Sequence, residues 1–223
     1  MLLLAGGYAL LEVALWTTHT YQLVFGLLTV AYVIGAVILR QSSADELGIS
    51  RRRVRHGWWA LIAALTIAAM MVALSIRFGT LHAVSRDRAV FAGALLYLVW
   101  SLEQEFMLQG FIFLGIRRLA GKRWAVLGTA VLFALAHLPN PILMAATLLG
   151  GLFFTLLFAR YRNLVVVGLV HAIFGLTLFV TAPDSLNRHM RVGRGYTEWN
   201  VGIAPARPPI PMGPPPASFV RGK

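Results

Sequence analysis

Seven apolar runs, cut apart by short polar connections, constrain this chain more than any other feature. They cover Met1–Trp16, Tyr21–Leu39, Trp58–Ile76, Ala89–Ile116, Trp124–Leu138, Ile142–Ala159 and Leu164–Thr181. A bilayer offers its backbone amides no water, so runs of this length resolve to helices whose N–H and C=O groups pair internally. The expectation is an all-α fold, a polytopic transmembrane helical bundle of about seven spans over residues 1–181. It is integral to a membrane of the bacterial cytoplasmic type. The first run is short for a crossing and lacks the basic start of a cleavable signal. The fourth is longer than a crossing needs, so it tilts or projects. With 58 % of residues hydrophobic and 13 % charged, the composition lies well outside that of a soluble domain.

From Ala182 the chain turns polar, and seven of its ten prolines fall between Pro205 and Pro216. A stretch like this has no means of burying a core, so residues 182–223 are expected to form a tail that is disordered or extended for much of its length. The absence of cysteine removes disulfides and thiolate metal ligands from consideration.

A net charge of +12 in a soluble chain would suggest nucleic acid. Here the basic residues sit mainly in the connections, where orientation and lipid headgroups use them, so the expected partner is the bilayer and no nucleic acid. The connections at 40–57, 117–123 and 160–162 hold eleven of the twenty Lys and Arg residues, against three in the remaining loops and six in the tail. That bias places these three connections and the N-terminus inside, with the uncharged turns at 17–20 and 139–141 outside. The connection 40–57 reads as a solvated basic loop in which Ser42–Glu46 resembles a helix start.

Ser101–Phe113, SLEQEFMLQGFIF, sets two carboxylates and two carboxamides inside the fourth run. An ionisable side chain at bilayer depth costs about 2.5–3.5 kcal/mol on insertion scales, so such residues face an interior cavity and act there. On a helix Glu105 and Gln109 share a face, while Glu103 points nearly the opposite way. Two further polar positions lie in later runs: His137, four residues after Phe133, and His171, four residues before Gly175. A buried carboxylate beside two imidazoles is what water activation needs, one group taking the proton and others steadying the oxyanion. The candidate catalytic residues are therefore Glu105, His137 and His171, expected to share one polar cavity, with Gln104, Gln109, Phe133 and Glu103 in support. One carboxylate and two imidazoles also suit zinc with an open position, although no HExxH pair is present. The cofactor requirement stays open between none and a divalent metal such as zinc.

In order and spacing, these motifs resemble those of the CAAX-protease and bacteriocin-processing (CPBP, Abi) family of intramembrane endopeptidases. That family carries Glu-Glu-x-x-x-Arg, then Phe-x-x-x-His, then His-x-x-x-Asn on successive transmembrane helices. This chain offers Gln104-Glu105 with Gln109, Phe133 with His137, and His171 with Gly175, within residues 90–181. The resemblance implies hydrolysis of a peptide bond in a membrane-associated protein or peptide by glutamate-activated water with two histidines. It also marks three departures. The family's first glutamate, implied to be the water-activating base, falls on Gln104; its arginine falls on Gln109 and its asparagine on Gly175. A glutamine does not accept a proton at useful pH. The base role thus passes to Glu105 or Glu103, or the chain is a catalytically silent member that binds a hydrophobic peptide or lipid in the same cavity. Asn140, just past His137, is a candidate for the missing amide.

Overall fold

The computed structural model describes residues 1–82 and 88–199. Every apolar run is helical, and no strand occurs among the described residues. Four helices are long and apolar enough to cross a bilayer: α2 (His19–Leu39), α4 (Trp59–Phe78), α7 (Pro141–Tyr161) and α8 (Leu164–Thr181). The helix α1 (Leu2–Trp16) has 15 residues, a rise of about 22 Å, short of a hydrocarbon core of about 30 Å. Ser43 and Glu46 cap the one-turn α3 (Ala44–Leu47) reciprocally, as the sequence there suggested.

The fourth run holds the main departure from regular geometry. The helix α5 (Arg88–Glu105) continues into an eight-residue π-helix (Phe106–Phe113) and on into α6 (Leu114–Leu135). A π segment inserts extra residues per turn and shifts the faces of everything beyond it, which residue spacing alone does not reveal. The expected basic connection 117–123 is correspondingly not an open loop. It is helical on both sides of Gly121, whose φ of 83° and ψ of 175° break the helix inside α6. Glycine tolerates that conformation at little cost. Past it the chain folds back, so that a Cβ at Gly128 would lie 3.0 Å from the Ile116 side chain.

The two ends of the bundle sort as the charge bias leads one to expect, with the basic connections gathered together. The Arg118 guanidinium donates to the Arg40 carbonyl at 3.1 Å and to the Glu46 carboxylate at 3.2 Å. Arg162 donates to the Glu46 carbonyl at 2.8 Å, and Leu164 N–H to the Gly48 carbonyl at 3.1 Å. Asn163 caps α8 through Oδ1 while its Nδ2 donates to the carbonyls of Val54 and His56. The connection 40–57 is thus fastened to the bundle rather than freely solvated. Arg40 turns inward, donating to the Phe111 carbonyl at 2.9 Å and lying 4.8 Å from the Phe111 ring centroid.

At the opposite end the chain beyond Ala182 does not fray. It forms α9 (Asp184–Asn187), a 3-10 turn (Arg188–Met190) and α10 (Gly193–Thr197), which pack on α7 and α1. Gly193 N–H donates to the Leu138 carbonyl at 2.7 Å. Residues 184–199 are therefore not part of the expected disordered or extended tail: that backbone hydrogen bond and the Asn140 side chain, donating to the carbonyls of Asn187 and Arg191, hold them to the α6–α7 turn. The proline-rich part lies outside the described residues. The core itself centres on α8, where Val166, Val167, Val170 and Ala172 are buried against α4, α5 and α7.

Candidate active site

The helices line an open cavity of about 2010 Å³, walled largely by apolar side chains. Its polar or aromatic lining residues include Tyr97, Glu103, Gln104, Phe133, His137 and His171. The two histidines thus face one space, although that space is far less polar than expected. Glu105 is not on its wall.

Glu105 is fully buried behind His171. His171 Nδ1 lies 2.8 Å from Glu105 Oε1, and Gln109 Nε2 donates to Glu105 Oε2 at 2.9 Å. Both carboxylate oxygens therefore have partners. A carboxylate only accepts, so His171 carries its proton on Nδ1 in this bond, and the neutral ring leaves Nε2 as an acceptor. The same logic holds for His137. Its Nδ1 lies 2.8 Å from the Phe133 carbonyl, one turn earlier on the same helix, which again leaves Nε2 with a lone pair. Aromatic rings fix both imidazoles. Phe154 stacks on His171 at 5.1 Å between centroids, and Phe133 meets His137 edge-on at 4.9 Å and His171 at 5.5 Å.

The neighbouring positions divide as follows. Glu103 and Gln104 are partly exposed on the cavity wall, two residues and one residue before the buried Glu105. Gln109, in the π segment, is fully buried and also reaches Thr155 Oγ1 at 3.4 Å, while its own Oε1 has no partner among the described residues. No Lys or Arg touches Glu105 among the described residues, and its partners there are His171 and Gln109. Asn140 does not supply an amide to the site. Its Oδ1 caps α7 at Leu143 N–H, and its Nδ2 donates to the carbonyls of Asn187 and Arg191.

The set of one carboxylate and two imidazoles does not fit zinc. Glu105 turns both oxygens away from the cavity, and no group of three or more His, Asp or Glu among the described residues is spaced to hold a metal ion. Spacing also gave no hint of Tyr97, whose hydroxyl presses on Gly175; only the seven-residue interval to Gln104, which puts both on one face of α5, was there to be read.

Residues 86–177 match the family model described as type II CAAX prenyl endopeptidase Rce1-like. The matched segment runs from the start of α5 to within a turn of the end of α8, and it contains every motif residue named above. The comparisons with curated proteins and with solved structures each gave no match. Over this segment the helical membrane bundle is thus similar to membrane endopeptidases of that family.

Proposed function

We propose, for a chain whose residues 86–177 are Rce1-like, that it hydrolyses a peptide bond of a membrane-associated protein or peptide, with His171 as the proton acceptor and Glu105 as the group that holds it. The observation carrying this reading is the buried Glu105–His171 contact of 2.8 Å. A buried carboxylate on Nδ1 orients the imidazole, keeps Nε2 free to accept, and stabilises the imidazolium that forms. Water in the cavity gives a proton to His171 Nε2 as its oxygen bonds to the scissile carbonyl carbon. The tetrahedral intermediate then collapses, the C–N bond breaks, and His171 returns the proton to the departing amine. His137 Nε2, the second acceptor, orients the water through its other hydrogen. Gln104, at the cavity wall, is an amide and does not act as the base. Glu105 acts through His171 and does not itself meet the water.

A second reading has its own support: the cavity is large and apolar, and Gln104 stands where the resembled motif has its first glutamate. In that case the chain binds a hydrophobic peptide or lipid without turnover. Purified protein in detergent, incubated with a mixture of fluorescence-quenched hydrophobic peptides, separates the two. Cleavage lost in His171→Ala supports hydrolysis. Binding without cleavage by the unaltered chain overturns it in favour of the binder.

A further inference from the structure

The helices α5 and α8 approach closely at two glycines. A Cβ at Gly168 would lie 3.2 Å from the Leu102 Cα, and one at Gly175 would clash with the Tyr97 hydroxyl and lie 2.6 Å from its Cζ. His171 sits between these two points on the same stripe of α8, three residues from one and four from the other. Tyr97 stands two turns before Gln104 on α5, and both line the cavity into which His137 and His171 face. The phenol hydroxyl is therefore seated against bare α8 backbone, one turn from His171, in space that any side chain at position 175 would claim.

The cavity's other polar groups make this placement consequential. The imidazoles of His137 and His171 both spend their N–H on partners outside the cavity, the Phe133 carbonyl and the Glu105 carboxylate. They offer lone pairs inward. Glu103 adds an acceptor when ionised, and the donors that α5 brings to the cavity for a substrate carbonyl oxygen include the Gln104 amide and the Tyr97 hydroxyl. A phenol donates one hydrogen bond, stays uncharged near neutrality and tolerates an apolar surround.

We infer that Tyr97 is a substrate-contacting residue whose hydroxyl donates a hydrogen bond to the carbonyl oxygen under attack, and that Gly175 is the residue that makes room for it. The inference rests on the hydrolytic reading for its catalytic consequence but not for the contact itself. As the carbonyl oxygen gains charge the phenol hydrogen bond strengthens, and after collapse of the intermediate the proton remains on the phenol. No other group is consumed.

The test uses the full chain in detergent with two non-cleavable copies of one hydrophobic peptide. In one the scissile amide is replaced by a ketomethylene, which keeps the carbonyl; in the other by an ethylene unit, which lacks it. The unaltered protein is expected to prefer the ketomethylene peptide by about 3- to 10-fold, the range of one net hydrogen bond. Tyr97→Phe, which removes only the hydroxyl, is expected to bind both alike. Where the unaltered chain cleaves the quenched peptides, Tyr97→Phe should lower kcat by about 10² to 10³, the loss seen for one oxyanion donor, with KM little changed. Tyr97→Ala combined with Gly175→Asn fills the vacated space with an amide donor and should recover part of both effects, which a packing role for the ring would not allow. The inference is overturned if the unaltered protein fails to prefer the ketomethylene peptide, or if Tyr97→Phe keeps the preference. If the preference is lost in Tyr97→Phe but no peptide is ever cleaved, the contact stands and the hydrolytic reading falls. If cleavage is robust and Tyr97→Phe cleaves like the unaltered chain, the reverse holds.

Discussion

Replacing Glu105 separates its electrostatic work from its structural work. The carboxylate is fully buried and accepts from His171 Nδ1 and Gln109 Nε2. Glu105→Ala strands both donors and breaks a buried charged contact, a loss of about 3–5 kcal/mol. Glu105→Gln keeps the shape. Its carbonyl can still accept from His171, and its new N–H needs an acceptor, which Gln109 provides by rotating its amide to present the unpartnered Oε1. The folding cost is then about 1 kcal/mol. Catalytically the amide is poor, because it no longer stabilises an imidazolium at His171, and a rate loss of about 10² to 10⁴ follows. Thermal melts in one detergent should rank the unaltered chain and Glu105→Gln close together, with Glu105→Ala well below. Peptide cleavage should rank both variants far below the unaltered chain. Glu103→Gln, on the cavity wall, should melt normally and cleave within a few-fold of the unaltered rate. If Glu103→Gln is the damaging change while Glu105→Gln cleaves normally, the assignment of His171 and Glu105 as a working pair is refuted.

Other outcomes follow from the same geometry. Gln104→Glu places a carboxylate on the cavity wall, and cleavage by that variant should equal or exceed the unaltered rate; a sharp drop in its kcat would mean that the amide N–H of Gln104 is itself required. Asn140→Ala removes the α7 cap, worth about 1 kcal/mol, and releases the carbonyls of Asn187 and Arg191. Limited proteolysis should then cut within 184–199 at a rate the unaltered chain does not show. A cysteine at position 52 is expected to react with a membrane-impermeant thiol reagent only after the cells are opened, and reaction in intact cells would invert the orientation argued from loop charge.

The apolar runs, the helix start at Ser42–Glu46 and the common end of the basic connections were legible in the sequence because each follows from local chemistry. Apolar length, a capping side chain and loop charge need no knowledge of distant partners. For the candidate site, residue types and spacing were legible and their arrangement was not. Helical spacing correctly paired Glu105 with Gln109, yet it did not tell which side of α5 meets the cavity, since that depends on where α8 packs. The result was that Glu105 stands behind His171 while Glu103 and Gln104 face the cavity. The π segment and the turn at Gly121 were invisible for a related reason: both are departures from the ideal period on which face assignments rest. Tyr97 escaped notice because its significance lies in what Gly175 lacks. A missing side chain on one helix acquires meaning only once the neighbouring helix fills the gap.

The central claim is that His171, held by Glu105, accepts the proton of a water that attacks a peptide bond. Its most direct measurement is cleavage of quenched hydrophobic peptides by the purified chain in detergent, beside His171→Ala and His137→Ala. The account predicts cleavage that His171→Ala abolishes and that His137→Ala reduces less severely. Cleavage undiminished in His171→Ala would contradict it.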